Sequence, residues 1–298
     1  MKNPGHFIFI LVSLTFACLI QVSCDKIDEP FLRHAGLTPI DTTDTVVKKV
    51  LLEDFTGHRC PNCPGAAKTA HDLLEIYGDR LIIITVHAGF QATPFSTGLY
   101  TYDFRTPEGN ELDAFFAIST GHGNPSGMVD RRNWVNAQPP EPVADPDDWA
   151  EYVGREMDSL PQVQITQELD FIAAEREVYA EITVKFIDNL MGKFHLCCFI
   201  TEDSVIKPQA NNDTLLGTVP DIEEYVHMHV LRGSLNGTWG ELISADTVFI
   251  AGSEFTLNYP DYHLDAEWKE KDCHIVSFVF NENTKEVLQA EQSPLMAK

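Results

Sequence analysis

The stretch VKKVLLEDFTGHRCPNCPGAAKTAHDLLEIYGDRLIIITVHAG, residues 47–89, decides how the chain is read. VKKVLLEDF has the composition of a strand. Ala66, Ala70, Leu73, Leu74 and Tyr77 then recur at helical spacing, and Gly78 stands where a helix is commonly capped. LIIITVHAG, from Leu81, is a near-continuous apolar run rich in Ile, the pattern of a strand buried on both faces of a sheet. The order is strand, Cys-Pro-Asn-Cys, helix, buried strand, which is a βαβ unit.

The cysteines of that unit, Cys60 and Cys63, fall where the helix begins. Unpaired backbone N–H groups and the positive end of the helix dipole favour thiolate there and lower the thiol pKa. A second cysteine three residues on lies one turn away, close enough to form a small disulfide. Such a pair can attack a partner, form a mixed disulfide and resolve it internally. Cys60 is the candidate nucleophile and Cys63 the resolving thiol. Pro61 is tolerated in the first turn, where its missing donor has no partner to lose. His58 and Arg59, just upstream, would add positive charge near an accessible Cys60. Two other readings stand beside this one. Half of a zinc site would need two more ligands, and only His58 and His71 lie near in sequence. A closed structural disulfide needs nothing more. Neither a metal nor a cofactor is expected.

The chain has 298 residues, 44% hydrophobic and 22% charged, with a formal net charge of −24. Its length allows two domains of ordinary size. A surface this acidic repels phosphate backbones, which excludes nucleic acid as a partner class, and offers no basic patch to anionic lipid. The N-terminus carries Lys2 and then FIFILVSLTFACLI, an uncharged apolar run of 14 residues at 7–20. A membrane-spanning helix needs about 20, so the run reads as the core of an export signal, residues 1–23. QVSC at 21–24 resembles the lipobox of bacterial lipoproteins, with Gln21 where Leu is usual; that resemblance implies lipidation of Cys24. The alternative is a secreted protein with an unmodified Cys24. Residues 24–46 read as the anchor and a polar tether. With Cys18 removed and Cys24 acylated, five of the seven cysteines remain, so at least one is unpaired or pairs between chains.

Beyond residue 89 lies an insertion, about 90–123, rich in aromatics and glycine, with a helix near GNELDAFFAIS. GHGNPSGMVDRR places Pro125 immediately before a short strand. DPDDWAEYVGREMDSL has Asp145 as a cap, Pro146 at the first helical position, and Trp149, Tyr152, Val153 and Met157 on one face. After Pro161 the pattern alternates: VQITQELDFIAAEREVYAEITVKFI, KFHLCCFITE, EYVHMHVLRG, EFTLNYP and HIVSFVFNENTKEVLQAEQ read as strands of an all-β sandwich of immunoglobulin-like type. The fold expected is an α/β domain at 47–160 followed by a β-sandwich domain at 162–298.

Strand, CxxC, helix, strand and a later proline ahead of a strand resemble the thioredoxin fold. That resemblance implies a cis Asn124–Pro125 bond with Pro125 resting against Cys60 and Cys63. Arg59 departs from it, since Trp usually precedes the first cysteine. More narrowly, the lipobox, FTGHRCPNCP, GNPSGMVDR, YVHMHVLRGSLNGTWGE and the all-β C-terminal half resemble the outer-membrane-protein-twenty-eight family of Bacteroidetes lipoproteins, over nearly the whole mature chain. The implied location is the outer membrane, held by the lipid on Cys24, on its periplasmic face or at the cell surface. The implied activity is thiol–disulfide exchange, the partners being exported protein clients or a redox partner protein. The alternative is a binding or scaffold lipoprotein whose CxxC is only structural.

The remaining residues carry less. Cys197 and Cys198 are adjacent in a strand and must point to opposite faces. A bridge from Cys273 to either is one reading, and burial as small hydrophobes is the other. His227 and His229 share a face of YVHMHVLRG, as a metal pair or as a structural or surface pair. The aromatics of the insertion either line a groove for an unfolded client or pack a core.

Overall fold

Seven consecutive buried residues form β1 (Val50–Thr56) in the computed structural model, which describes residues 46–136 and 141–296. The export segment, Cys24 and the tether as far as residue 45 lie outside the described residues. β1 is buried throughout because it has neighbours on both edges and layers on both faces. β2 (Leu81–His87) runs parallel on one edge, reached through helix α1 (Cys63–Tyr77). Helix α2 (Pro107–Phe115) follows in the insertion, started by Thr106, whose hydroxyl accepts from the Gly109 N–H at 3.0 Å. β3 (Ser126–Val129) lies antiparallel on the other edge of β1, and β4 (Val143–Ala144) antiparallel to β3. Pro146 opens a single 3₁₀ turn that leads into helix α3 (Trp149–Met157), which buries Trp149, Val153 and Met157.

The rest of the chain is strands. They are β5 (Val163–Ile172), β6 (Glu177–Phe186), β7 (Leu190–Met191), β8 (Phe194–Glu202), β9 (Val205–Ala210), β10 (Asp221–His227), β11 (Val230–Ser234), β12 (Glu241–Leu242), β13 (Val248–Phe249), β14 (Glu254–His263), β15 (Cys273–Asn281) and β16 (Val287–Pro294). The nine-stranded sheet runs β16-β15-β8-β11-β2-β1-β3-β4, with β12 also on β8. The segments expected as two domains therefore share one sheet. The junction is β11 on β2, with Val230 opposite Thr85 and the Thr85 N–H donating to the His229 carbonyl at 2.8 Å. Residues from Val46 onward form one compact unit.

Alternation along the shared strands sorts its core. Leu51, Ile82 and Ile84 join Cys197, Phe199, Phe278 and Ala290 in one continuous cluster on one face. On the opposite face, α1 and α3 cover Leu52, Leu81, Ile83 and Val129. Further along that face the sheet β14-β6-β5 packs Ile165, Ile182, Val184 and Phe186 onto Leu196, Cys198 and Val279. The architecture is mixed α/β with a large β content. Two buried ion pairs brace the centre: Arg131 grips Glu53 through two bonds of 2.7 Å, and Lys48 lies 2.7 Å from Asp130. Among the described residues no helix is long and apolar enough to cross a membrane.

Candidate functional site

β1 ends at Thr56 and the chain turns at Gly57, where a Cβ would stand 2.4 Å from the Gln91 carbonyl carbon; only glycine allows that approach. The Cys60 N–H donates back to Gly57 O at 2.9 Å, and the Cys63 N–H to Cys60 O at 3.3 Å. The helix begins at Cys63, with Pro64 in its first turn, so Cys60 lies in the turn before it. Cys60 and Cys63 form a disulfide with Cα atoms 5.4 Å apart. The Asn124–Pro125 bond is cis, and the Asn124 carbonyl oxygen lies 3.6 Å from Cys60 Sγ. Asn124 is itself pinned: its side-chain amide donates to Thr56 O at 2.9 Å and Ala88 O at 3.1 Å, tying the ends of β1 and β2. The structure thus brings Cys60, Cys63 and the Asn124–Pro125 bond together from two segments.

The sulfurs are covered. The β9–β10 hairpin lays its turn over the CPNC loop. The Ala210 N–H donates to His58 O at 2.8 Å and the Asn212 N–H to Pro61 O at 3.2 Å. The Gln209 amide, buried, donates to Cys60 O at 2.8 Å and Gly57 O at 3.3 Å. From the insertion, the Tyr100 hydroxyl donates to the Asp221 carboxylate of β10 and joins the two covers. As a result Cys60 is 1% exposed and Cys63 2% exposed, against the expectation of an accessible Cys60. The sequence lacks any local sign of a cover supplied by a strand some 150 positions away.

The upstream charges also differ from expectation. His58 is buried among Tyr100 and Phe104, and burial, with Arg59 beside it, pushes its pKa down to about 4. It is neutral at pH 7 and supplies no positive field. Arg59 turns outward, stacks on Phe90 and Phe95 at 4.6 and 4.1 Å, and donates to Thr93 O at 2.7 Å.

Behind the disulfide stands Asp54, a residue the sequence reading did not single out. It is fully enclosed, burial pushes its pKa up to about 7, and its Oδ1 has no hydrogen-bond partner. A cavity of about 330 Å³ separates α1 from the β9–β10 hairpin, and Asp54, Thr56, Cys63, Tyr225 and His227 all border it. A carboxyl that exchanges its proton near neutrality and shares a cavity with Cys63 can give a proton to a departing thiolate or take one from a thiol. Tyr225 is pushed up to about 12 by burial and then by the charge of Asp54. Beyond them His87, His227 and His58 pack around Phe104, at 4.3, 4.6 and 5.6 Å between ring centres. Among the described residues no group of three or more His, Cys, Asp or Glu is arranged to hold a metal ion.

Cys197 and Cys198 do face opposite ways, one into each core cluster, and both are buried and unbonded. Cys273 is also unbonded, which corrects the bridge considered above. The register explains it: Cys198 lies opposite Ser277 and Cys273 opposite Glu202, four positions away along the same pair of strands. Burial pushes the Cys198 and Cys273 thiols up to about 12. His227 and His229 do not act as a pair. His227 is enclosed by Phe104 and Tyr225, whereas His229 sits at φ 56° with Nδ1 3.2 Å from Asp203.

Among the solved structures that resemble this one are two that cover most of the chain. HBP35 of Porphyromonas gingivalis gives a TM-score of 0.60 at 20% identity, over 84% of this chain and 76% of that one. Protein AGR_C_4864 from Agrobacterium tumefaciens gives 0.52 at 12% identity, over 85% and 97%. At these identities the likeness is one of fold. No curated protein matches the chain. The family model described as outer membrane protein Omp28 matches residues 112–297, more than half of the chain. The chain belongs to the Omp28 family of outer membrane proteins.

Proposed function

We propose that the chain is an exported, lipid-anchored thiol–disulfide exchange protein whose thioredoxin-like part carries the couple Cys60–Cys63, with exported proteins as clients. The parallel β1–α1–β2 unit, antiparallel β3 directly after Asn124–Pro125, and β4 leading to α3 support the thioredoxin-like reading. The observation that carries the activity is the two-sided placement of the disulfide. Asn124 O lies 3.6 Å from Cys60 Sγ on one side, and the Asp54 carboxyl, whose Oδ1 has no partner, borders the cavity that Cys63 also borders.

Exchange starts from the closed disulfide. A client thiolate attacks Cys60 Sγ, a client–Cys60 bond forms, the Cys60–Cys63 bond breaks, and Cys63 leaves as a thiolate that takes the Asp54 proton. A second client thiolate attacks the client sulfur of the mixed disulfide and releases Cys60. The client loses two electrons and the pair gains them. In the reverse direction Cys60 attacks, Cys63 resolves, and Asp54 receives the Cys63 proton. Pro125 shapes the wall along which the client chain approaches. A redox partner protein in the exported compartment resets the couple. Lipidation at Cys24 tethers the protein at the outer membrane.

Insulin reduction by dithiothreitol, with wild type and Cys60→Ser, tests the activity. Acceleration by wild type and none by Cys60→Ser supports it, and equal rates end it. A second reading has its own observation: both sulfurs are shielded. In that reading the protein is a binding or scaffold lipoprotein, the disulfide is structural, and mild reductant leaves it closed.

A further inference from the structure

We propose that the cavity behind the disulfide binds a small aminothiol, which exchanges with the pair at Cys63 rather than at Cys60. The inference rests on the redox reading and names a second substrate class for the same couple. Cys63 borders the cavity and Cys60 does not. Cys60 faces the Asn124 carbonyl and is roofed by Gln209 and Ala210, so a protein chain has to lift the hairpin to reach it. A space of about 330 Å³ is large enough for an amino-acid-sized molecule and is closed to a folded client.

The polar groups of the wall select the ligand. Two enclosed acceptors have no partner: Asp54 Oδ1 and His227 Nε2. Backbone hydrogen bonds to Lys207 and Pro208 engage the His227 ring, burial keeps the ring neutral, and its Nε2 stays without a partner. Both acceptors call for a donor, and an ammonium group supplies three. Above about pH 7, where Asp54 has lost its proton, it repels a carboxylate in the same place. The charges of α1 near the rim are spent locally: Lys68 pairs with Asp72 at 2.5 Å, and His71 lies 3.5 Å from Glu75. Pro64, Ala67, Ala70, Ile83 and Leu216 give the wall an apolar stretch, beside the hydroxyls of Thr56, Thr85 and Tyr225, which suits a short aliphatic arm between nitrogen and sulfur.

The exchange balances without a further reagent. The aminothiol thiolate attacks Cys63 Sγ, the Cys60–Cys63 bond breaks, and Cys60 leaves as a thiolate. A second aminothiol attacks the ligand sulfur of the mixed disulfide, giving the small symmetrical disulfide and a free Cys63. Two small thiols lose two electrons in all, and the pair gains two.

The test uses full-length mature Cys60→Ser protein, in which Cys63 is free, and reads mixed-disulfide formation by intact mass under native conditions. At pH 8, where Asp54 is ionised, cystamine is expected to cap Cys63 about tenfold faster than dithiodipropionic acid, which has two carboxylates in place of two amines. Asp54→Asn in the same background is expected to erase that preference. Ala67→Leu, which fills the cavity from the face of α1, is expected to slow both reagents. Wild-type disulfide reduced by cysteamine and by 3-mercaptopropionate repeats the comparison without any substitution. Equal rates for the two charges in wild type and in Cys60→Ser, or no capping of Cys63 in folded protein, would overturn the site. Insulin reduction reads the client activity separately. Capping with the amine preference but without insulin reduction keeps the site and ends the client reading; the opposite pattern ends the site alone.

Discussion

The side-chain amide of Gln209 donates to the Cys60 carbonyl at 2.8 Å, across 149 positions of sequence. The same nitrogen lies 3.3 Å from Gly57 O and 3.1 Å from Ala210 O, so one NH₂ group serves three carbonyls of the loop and its cover. The turn that holds the couple and the hairpin that hides it are therefore one hydrogen-bonded piece. Moving the hairpin leaves buried carbonyls of the CPNC loop unpaired, which sets the cost of exposing Cys60.

Gln209→Ala is expected to lower stability by about 1–3 kcal/mol, the usual cost of orphaning buried polar groups. Because the loss falls on the covered state, reduction of Cys60–Cys63 by dithiothreitol is expected to speed up about tenfold. Thiol release against time, with unfolding in urea run beside it, checks both. An unchanged reduction rate would mean that the hairpin does not limit access.

Asp54 gives a pH dependence of definite sign. Its folded pKa of about 7 lies above the unfolded value of about 3.9, so the native state holds this proton more tightly. The stability it contributes is fully present below about pH 4 and is lost as pH rises through 7. Three pKa units correspond to on the order of 4 kcal/mol. Asp54→Asn is therefore expected to exceed the parent in stability at pH 8, with the gap shrinking toward zero near pH 4. Urea midpoints across that range measure it, and a constant gap would contradict the assignment.

The buried histidines act at the other end of the scale. His58 and His227 have folded pKa values pushed down to about 4 and about 3, chiefly by burial, against about 6.5 in the unfolded chain. Their contribution is present above about pH 6.5 and is lost as pH falls toward 4 and 3. His227 belongs to the cover and His58 lies beneath it, so acid is expected to loosen it. Reduction by a phosphine, which does not depend on a thiolate, should be faster at pH 4.5 than at pH 7, and His227→Phe should flatten that difference.

Much of this was readable from local pattern, and the reason is range. Strand, helix and strand at 47–89 follow from periods of two and 3.6, and Pro125 ahead of β3 follows from a handful of neighbours. Gln209 in SVIKPQA looks like any strand residue, because what it touches is set by pairings between distant elements. Asp54 in VLLEDF carries no local sign of its role for a related reason. Glu53 and Asp54 alternate, so one of them should face water in a sheet covered on one side, yet both are buried because this sheet is covered on both. His58 in TGHRC has the sequence of a charge near the thiolate, whereas the aromatic cluster that buries it is built from residues 87–104 and 227. The change of pattern at Pro161 was visible, but the edge pairing of β11 with β2 that joins the halves was not.

The pair Glu53–Arg131 sits where those halves meet and is enclosed completely. Removing one partner strands a buried charge, so Arg131→Met is expected to cost about 3–5 kcal/mol. Replacing both, Glu53→Leu with Arg131→Met, should recover most of it, since the cost lies in the unpaired charge. Urea unfolding of the two single variants and the double variant checks this, and additive losses would contradict it.

The most direct test of the redox account is the reduction potential of the Cys60–Cys63 couple, measured by equilibrating native protein across a series of thiol–disulfide buffers. The account predicts a reversible two-electron titration, with a midpoint above about −300 mV, the range of disulfides that take part in exchange. A pair that stays closed below about −300 mV, or that opens only when the protein unfolds, would contradict it and leave the disulfide as structural.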